Sequence, residues 1–222
     1  MRTKKYTDRE RIAGRRDIRK LFVIVSEGTK TEKTYFDDLA ADERFNHPSV
    51  HVETIQPEDS SPDHVLARLT EFNNEYELRV DDELWLVIDR DRWKVPMLQR
   101  VTQQAIQKGF CVADSNPAFE LWLLLHHRSL DDYTCEELTE LEANGKSGSR
   151  TRLELELISV VGSYNKSRLK TSCYLPNVDD AIANARESDI NESERWLNQI
   201  GSRVYLLAER IINATSPHNP LN

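Results

Sequence analysis

The sequence predicts an α/β fold: a parallel sheet of about four strands with helices on both faces, followed by a helical C-terminal extension. Two patterns carry that expectation. Up to about residue 127, short apolar runs rich in β-branched residues alternate with segments whose apolar residues recur at helical spacing. That is the signature of parallel strands joined by right-handed crossovers. Beyond Arg128 only the helical stripes continue. The expected divisions are a basic arm over 1–20, an α/β core over 21–127, a helical extension over 128–213 and a fraying tail over 214–222.

Each element follows from local chemistry. Leu21–Ser26 (LFVIVS) is a nearly continuous apolar run, as a strand buried on both faces requires. Thr29–Leu39 reads as a helix with Tyr35, Phe36 and Leu39 on one stripe. Val50–Ile55 is a second strand. Pro62 opens a helix carrying Val65, Leu66, Leu69 and Phe72. Glu83–Asp89 (ELWLVID) is a third buried strand, and a helix over Val95–Lys108 ends at Gly109 as its C-cap. Phe110–Ala113 is a short fourth strand, followed by the Asn116-Pro117 turn and a helix over Phe119–His127. Helical segments are then expected near 134–143, 150–161, 177–187 and 193–213.

Composition bounds the function. The chain has 222 residues, of which 38% are hydrophobic and 31% charged, enough for one globular core. No apolar run approaches the roughly 18 residues of a membrane span, and the basic N-terminus lacks a signal-type apolar stretch. Cys111, Cys135 and Cys173 are too scattered for a zinc knuckle or a disulfide framework, so a cytoplasmic location is expected. The net charge of −8 hides a split, because residues 1–20 hold nine Lys or Arg against three Asp or Glu. An acidic body argues against non-specific wrapping of DNA, whereas the arm suits a phosphate backbone or an acidic partner, or else is a solvated, partly disordered tail.

Three acids fall where open parallel sheets place their ligands, beyond the carboxyl ends of the strands. Glu27 follows the first strand, and Asp89 and Asp91 close the third. In extended backbone, residues two apart project to the same side, so both aspartates can reach one cation. Uncompensated carboxylates repel one another; Mg²⁺ or Mn²⁺ ligated by oxygen removes that penalty and suits phosphodiester hydrolysis. Gly28 permits a tight turn and close ligand approach. The helix after it offers N–H groups to a phosphate, and Lys30 can neutralise charge there. The alternative for Asp-x-Asp is helix capping or a surface ion pair.

Other signals are weaker. Gly145-Lys146-Ser147 is not a phosphate-binding loop, since position 140 is Glu140 where a glycine is needed; a flexible turn with Ser149 capping the next helix is expected. His126 and His127 diverge on a helix and cannot share an ion, which leaves His126 as a proton shuttle or a hydrogen-bonded helix end. Trp85 and Trp122 read as core, and Trp93, just past the acids, as the tryptophan placed to stack on a base.

The blocks VIVSEGTKTEKTYFDDL (Val23–Leu39), VIDRDRW (Val87–Trp93) and SNPAFELWLLLHH (Ser115–His127), in that order, resemble the RloB-like family over roughly residues 20–210. The resemblance implies a Toprim-like fold and metal-dependent nuclease activity on RNA (tRNA included) or DNA. It also implies a setting in bacterial restriction and abortive-infection loci, beside an AAA/ABC-type ATPase. It carries Glu27, Asp89 and Asp91 over as metal ligands and points to Lys30, Thr31, Glu32, Asn116 and Glu120. Glu120 is a fourth ligand, a general base, or a capping or ion-paired residue; Asn116 is a substrate contact or a turn former. Tyr164-Asn165-Lys166 resembles a Tyr-x-Lys element that would bring Lys166 to a phosphate. The family's final-helix start is replaced here by Asn198-Gln199-Ile200-Gly201-Ser202, although Arg203 and Tyr205 remain candidates to face the site. Gly28, Thr31, Asn116, Lys166 and Arg203 are thus the expected substrate contacts. The competing expectation is a non-catalytic subunit docked on the ATPase through the basic arm and the helical half. Topoisomerase and primase activities are not expected, and a homo-oligomer is left open.

Overall fold

In the computed structural model, which describes residues 4–5, 20–47, 50–90, 93–191 and 193–215, a five-stranded sheet organises the chain. Strand β1 (Lys20–Ser26) lies between β2 (Val50–Ile55) and β3 (Glu83–Asp89). Beyond β3 come β4 (Cys111–Asn116) and the two-residue β5 (Gly201–Ser202). Pairings among β1 to β4 are parallel, and β5 alone runs antiparallel, on β4. Helices α1 (Thr31–Ala41), α2 (Pro62–Glu75) and α3 (Val95–Gln107) make the crossovers. The chain goes outward from β1 to β2 and then returns past β1 to β3. That reversal opens a crevice at the carboxyl ends of β1 and β3.

Strict alternation along the strands builds two cores. Leu21, Val23 and Val25 of β1 join Leu84, Leu86 and Ile88 of β3 against α2 and α3. Phe22, Ile24, Trp85 and Val87 face the other way, against α1 and α4 (Phe119–Leu125). All seven residues of α4 are buried. The reason is that α5 (Cys135–Ala143), α6 (Arg152–Val161), α7 (Val178–Ser188) and α8 (Val204–Thr215) contribute apolar residues to that same core. The C-terminal helices therefore complete the sheet's second face.

Several boundaries differ from expectation, each for a tertiary reason. Strand β4 continues three residues beyond Ala113, carrying Asp114, Ser115 and Asn116 into the buried sheet edge. The helix expected from 193 begins only at Val204. Contacts to β4 hold the preceding segment out of a helix: Asp114 Oδ2 accepts the Leu197 N–H at 2.6 Å, and its carbonyl accepts the Arg203 N–H at 2.8 Å. A strand thus interrupts the helical half, and a second departure is the small hairpin Lys146–Ser147/Arg150–Thr151 in place of a loose turn. Thr151, not Ser149, caps α6, in a reciprocal box with Glu154. Gly109 does end α3, with φ +76°. Among the described residues no helix is long and apolar enough to cross a membrane, and the three cysteines are unpaired. The basic arm lies outside the described residues except Lys20 and Lys4–Lys5, which pair with Tyr76–Glu77. In the expected tail, α8 runs on to Thr215 and 216–222 fall outside.

Candidate active site

The crevice is a cleft of about 350 Å³ lined by Glu27, Lys30, Glu32, Asp89, Glu120 and Lys166, with Gly28, Thr29, Thr31 and Ser60 completing the wall. Glu27 continues the β1 ladder, its N–H donating to the Val87 carbonyl at 3.1 Å. Its buried carboxylate accepts the Asp89 N–H (3.1 Å, Oε1) and the Trp93 indole N–H (2.8 Å, Oε2). Asp89 ends β3, and its Oδ1 accepts the Phe119 N–H at 2.9 Å, capping α4 from the neighbouring element. Asp89 thus lines the cleft and also fills the capping role given as its alternative. Asp91 lies outside the described residues. Among the described residues no three His, Cys, Asp or Glu side chains come close enough to hold a metal ion.

Glu120, in the first turn of α4, reaches the cleft from the side opposite β2. Its Oε1 accepts the Tyr164 hydroxyl at 2.9 Å and pairs with Lys166 Nζ at 2.8 Å. Lys166 is shared, its ammonium lying 3.4 Å from Glu154 Oε1 of α6. Burial works against the lysine's charge, but Glu120 and Glu154 outweigh it and raise its pKa. Burial and the charge of Glu120 likewise push the Tyr164 hydroxyl up, so it remains a donor. Thr31 is turned to structure: its hydroxyl donates to the Lys166 carbonyl at 3.0 Å, pinning α1 to that loop. Lys30 is exposed at the mouth, 3.5 Å from the Ser167 hydroxyl.

Glu32 was expected only through the resemblance, yet it occupies the place foreseen for a phosphate. Its carboxylate lies against the backbone of Gly28 and of its own residue at the start of α1. A Cβ on Gly28 would come within 1.9 Å of Glu32 Oε2, so any other residue there would displace the carboxylate from this position. Burial pushes the Glu32 carboxyl up to about 7, with Glu120 adding to the rise and backbone N–H groups and Lys166 opposing it.

Two expected contacts lie elsewhere. Arg203 is buried and saturated: it forks onto Asp189 at 2.8 Å through Nε and Nη2, and donates to the carbonyls of Glu194 and Asn191. It does not line the cleft, because its charge is consumed in holding the 189–203 segment; Tyr205 joins it by donating to Asp189 at 3.2 Å. Asn116 sits at the cis peptide before Pro117 and donates through Nδ2 to Glu142 at 2.9 Å, so it ties β4 to α5. His126 is fully engaged between Tyr35 (3.0 Å) and the Trp122 carbonyl (2.9 Å), and burial holds its imidazole down at about 3. That is a neutral structural histidine, not a shuttle. Sequence reasoning missed Glu154, and it named Tyr164 only as part of the Tyr-x-Lys element, without its bond to Glu120. The Thr151-x-x-Glu154 spacing is that of a capping box, and nothing in it signals the second contact to Lys166.

No curated protein and no solved structure matches the chain. The family model described as RloB-like protein matches residues 22–211, which spans the sheet, the cleft and the helices that cover α4. The chain belongs to the RloB-like family.

Proposed function

We propose that the chain is a divalent-metal-dependent nuclease that hydrolyses phosphodiesters of RNA or DNA at this cleft. The observation that carries the reading is the gathering of Glu27, Asp89, Glu32 and Glu120, from β1, β3, α1 and α4, around one opening at the strand-order reversal. Lys166 and Lys30 are the cations of that lining, set against four carboxyl groups. An all-oxygen, charge-excess site fits a hard divalent ion. Glu27, Asp89 and Asp91 would hold it, and when bound it supplies an activated water and a counter-charge for the leaving oxygen. Lys166 pairs with Glu120 at the cleft wall and offers ammonium charge to a phosphate. Lys30 extends that positive edge to the mouth. A Toprim-like arrangement, a role in antiphage defence and control by an AAA/ABC-type ATPase belong to the same proposal, as the resemblance implies.

The test is cleavage of single- and double-stranded RNA, tRNA and DNA with Mg²⁺ or Mn²⁺. Glu27→Gln and Asp89→Asn should each lower the rate at least about 100-fold, with unchanged circular dichroism and weakened Mn²⁺ binding by electron paramagnetic resonance. Asparagine is chosen because it can still cap the Phe119 N–H. Wild-type cleavage in both variants removes the site from the chemistry. One observation favours a second reading, a non-catalytic subunit that docks on an ATPase: both Glu27 oxygens are already taken by protein donors. Co-purification and defence that survive substitution of all three acids would establish it.

A further inference from the structure

Next to the cleft lies a second cavity, of about 330 Å³, on the far side of the Tyr164–Lys166 segment. Two buried tyrosines, Tyr164 and Tyr174, line it. Tyr164 is oriented by the cleft itself, because its hydroxyl donates to Glu120. Tyr174 is 2% exposed, yet its hydroxyl has no hydrogen-bond partner among the described residues. Arg168 and Lys170 stand on the rim, both exposed. Elsewhere the exposed cations are commonly neutralised, as in Arg44–Asp42, Arg100–Asp63 and Arg186–Glu209. Arg168 and Lys170 make no ion pair among the described residues. With Lys166 they place three cations within five residues of a chain whose net charge is −8.

Unpaired cations beside an aromatic wall suit single-stranded nucleic acid: charge for the backbone, an apolar aromatic lining for a base. The volume is at the low end for a ligand pocket, about 300–1,000 Å³. It suits one nucleoside and is too small for a base pair. We infer that this cavity is a subsite for an unpaired nucleotide flanking the phosphate held at the carboxylate cleft, with Arg168 and Lys170 on its phosphate and Tyr164 and Tyr174 against its base. The inference deepens the nuclease reading and rests on it for the strand's path, but not for binding.

The test separates the two. A fluorescein-labelled short oligonucleotide, single-stranded RNA or DNA or the corresponding duplex, is titrated into full-length Glu27→Gln protein in EDTA, so that nothing turns over. Adding Arg168→Ala and Lys170→Ala should weaken single-strand binding about tenfold or more. The slope of log K against log salt should fall by about 0.7, the value for one phosphate neutralised on a single strand. Cys173 lines the cavity and is partly exposed, whereas the more exposed Cys135 starts α5. A saturating oligonucleotide should slow alkylation of Cys173 and leave Cys135 unchanged. Unaltered affinity and salt slope in the double variant, unprotected Cys173, duplex bound as tightly as single strand, or no binding by any oligonucleotide each overturns the subsite. Binding and protection by a chain that never cleaves would instead sink the nuclease reading and leave the subsite standing.

Discussion

At Glu32 a carboxyl group is buried against the start of its own helix while Glu120 raises it further. The group titrates near 7 in the folded chain against an ordinary 4.5. A raised folded pKa means that the native state binds the extra proton between these values. The associated stability is therefore complete below about 4.5 and is lost as pH rises through about 7. His126 runs the opposite way, since its depressed imidazole costs stability as pH falls below 6.5, so the contribution must be read as a difference between variants. Glu32→Gln, which mimics the protonated acid, should be about as stable as wild type at pH 5. By pH 8 it should be the more stable by on the order of 2 kcal/mol, measured by urea unfolding without divalent ions. A constant gap across that range would show that Glu32 is not perturbed. At this scale position alone was informative for residues that follow or end strands, and the family resemblance added Glu120 and Lys166. Glu27 and Asp89 were placed by their position after apolar runs. Glu32 was hidden, because its burial depends on the missing side chain of Gly28 and on Glu120, 88 positions away.

The segment from Asp189 to Arg203 shows why some elements could not be anticipated. Its sequence contains enough charged and apolar residues to resemble a helix, but a buried Arg203–Asp189 fork and two hydrogen bonds to Asp114 hold it irregular. Burial is the leading cause that pushes the Asp114 carboxyl up to about 6. Such partners lie far apart in the chain, and periodicity carries no information about them. Strand β4 outruns its apolar pattern for a related reason: Asp114, Ser115 and Asn116 look like loop residues, yet each is buried. The strands β1 and β3 and helices α2 and α7 were legible because their burial follows directly from apolar spacing. Arg203→Met leaves Asp189 buried without its cation and should destabilise the protein by about 3–5 kcal/mol. Adding Asp189→Asn should recover a large part of that loss. Urea midpoints that do not move in the single variant would show that the fork is incidental.

The molecule as a whole depends on α4, which is covered by the sheet on one side and by the C-terminal helices on the other. A chain ending after His127 keeps four parallel strands but exposes an almost wholly apolar helix. It should lack cooperative unfolding, bind hydrophobic dyes and aggregate in size-exclusion chromatography, whereas the full chain should not. A monomeric, cooperatively folded 1–127 fragment would contradict this. The division near residue 127 is thus visible in the sequence as a change of pattern, while the shared core across it is not.

Lys166 ties the two halves together at one atom, its ammonium lying between Glu120 of α4 and Glu154 of α6. Thr31 fastens the same loop to α1. A protein that bound the outer helices and shifted α6 would redistribute that ammonium between the two acids without touching the cleft. By thermodynamic reciprocity, occupancy of the cleft would then alter affinity for that protein by the same factor. One lysine so placed lets a distant docking event and local ligand affinity be read as a single coupling free energy.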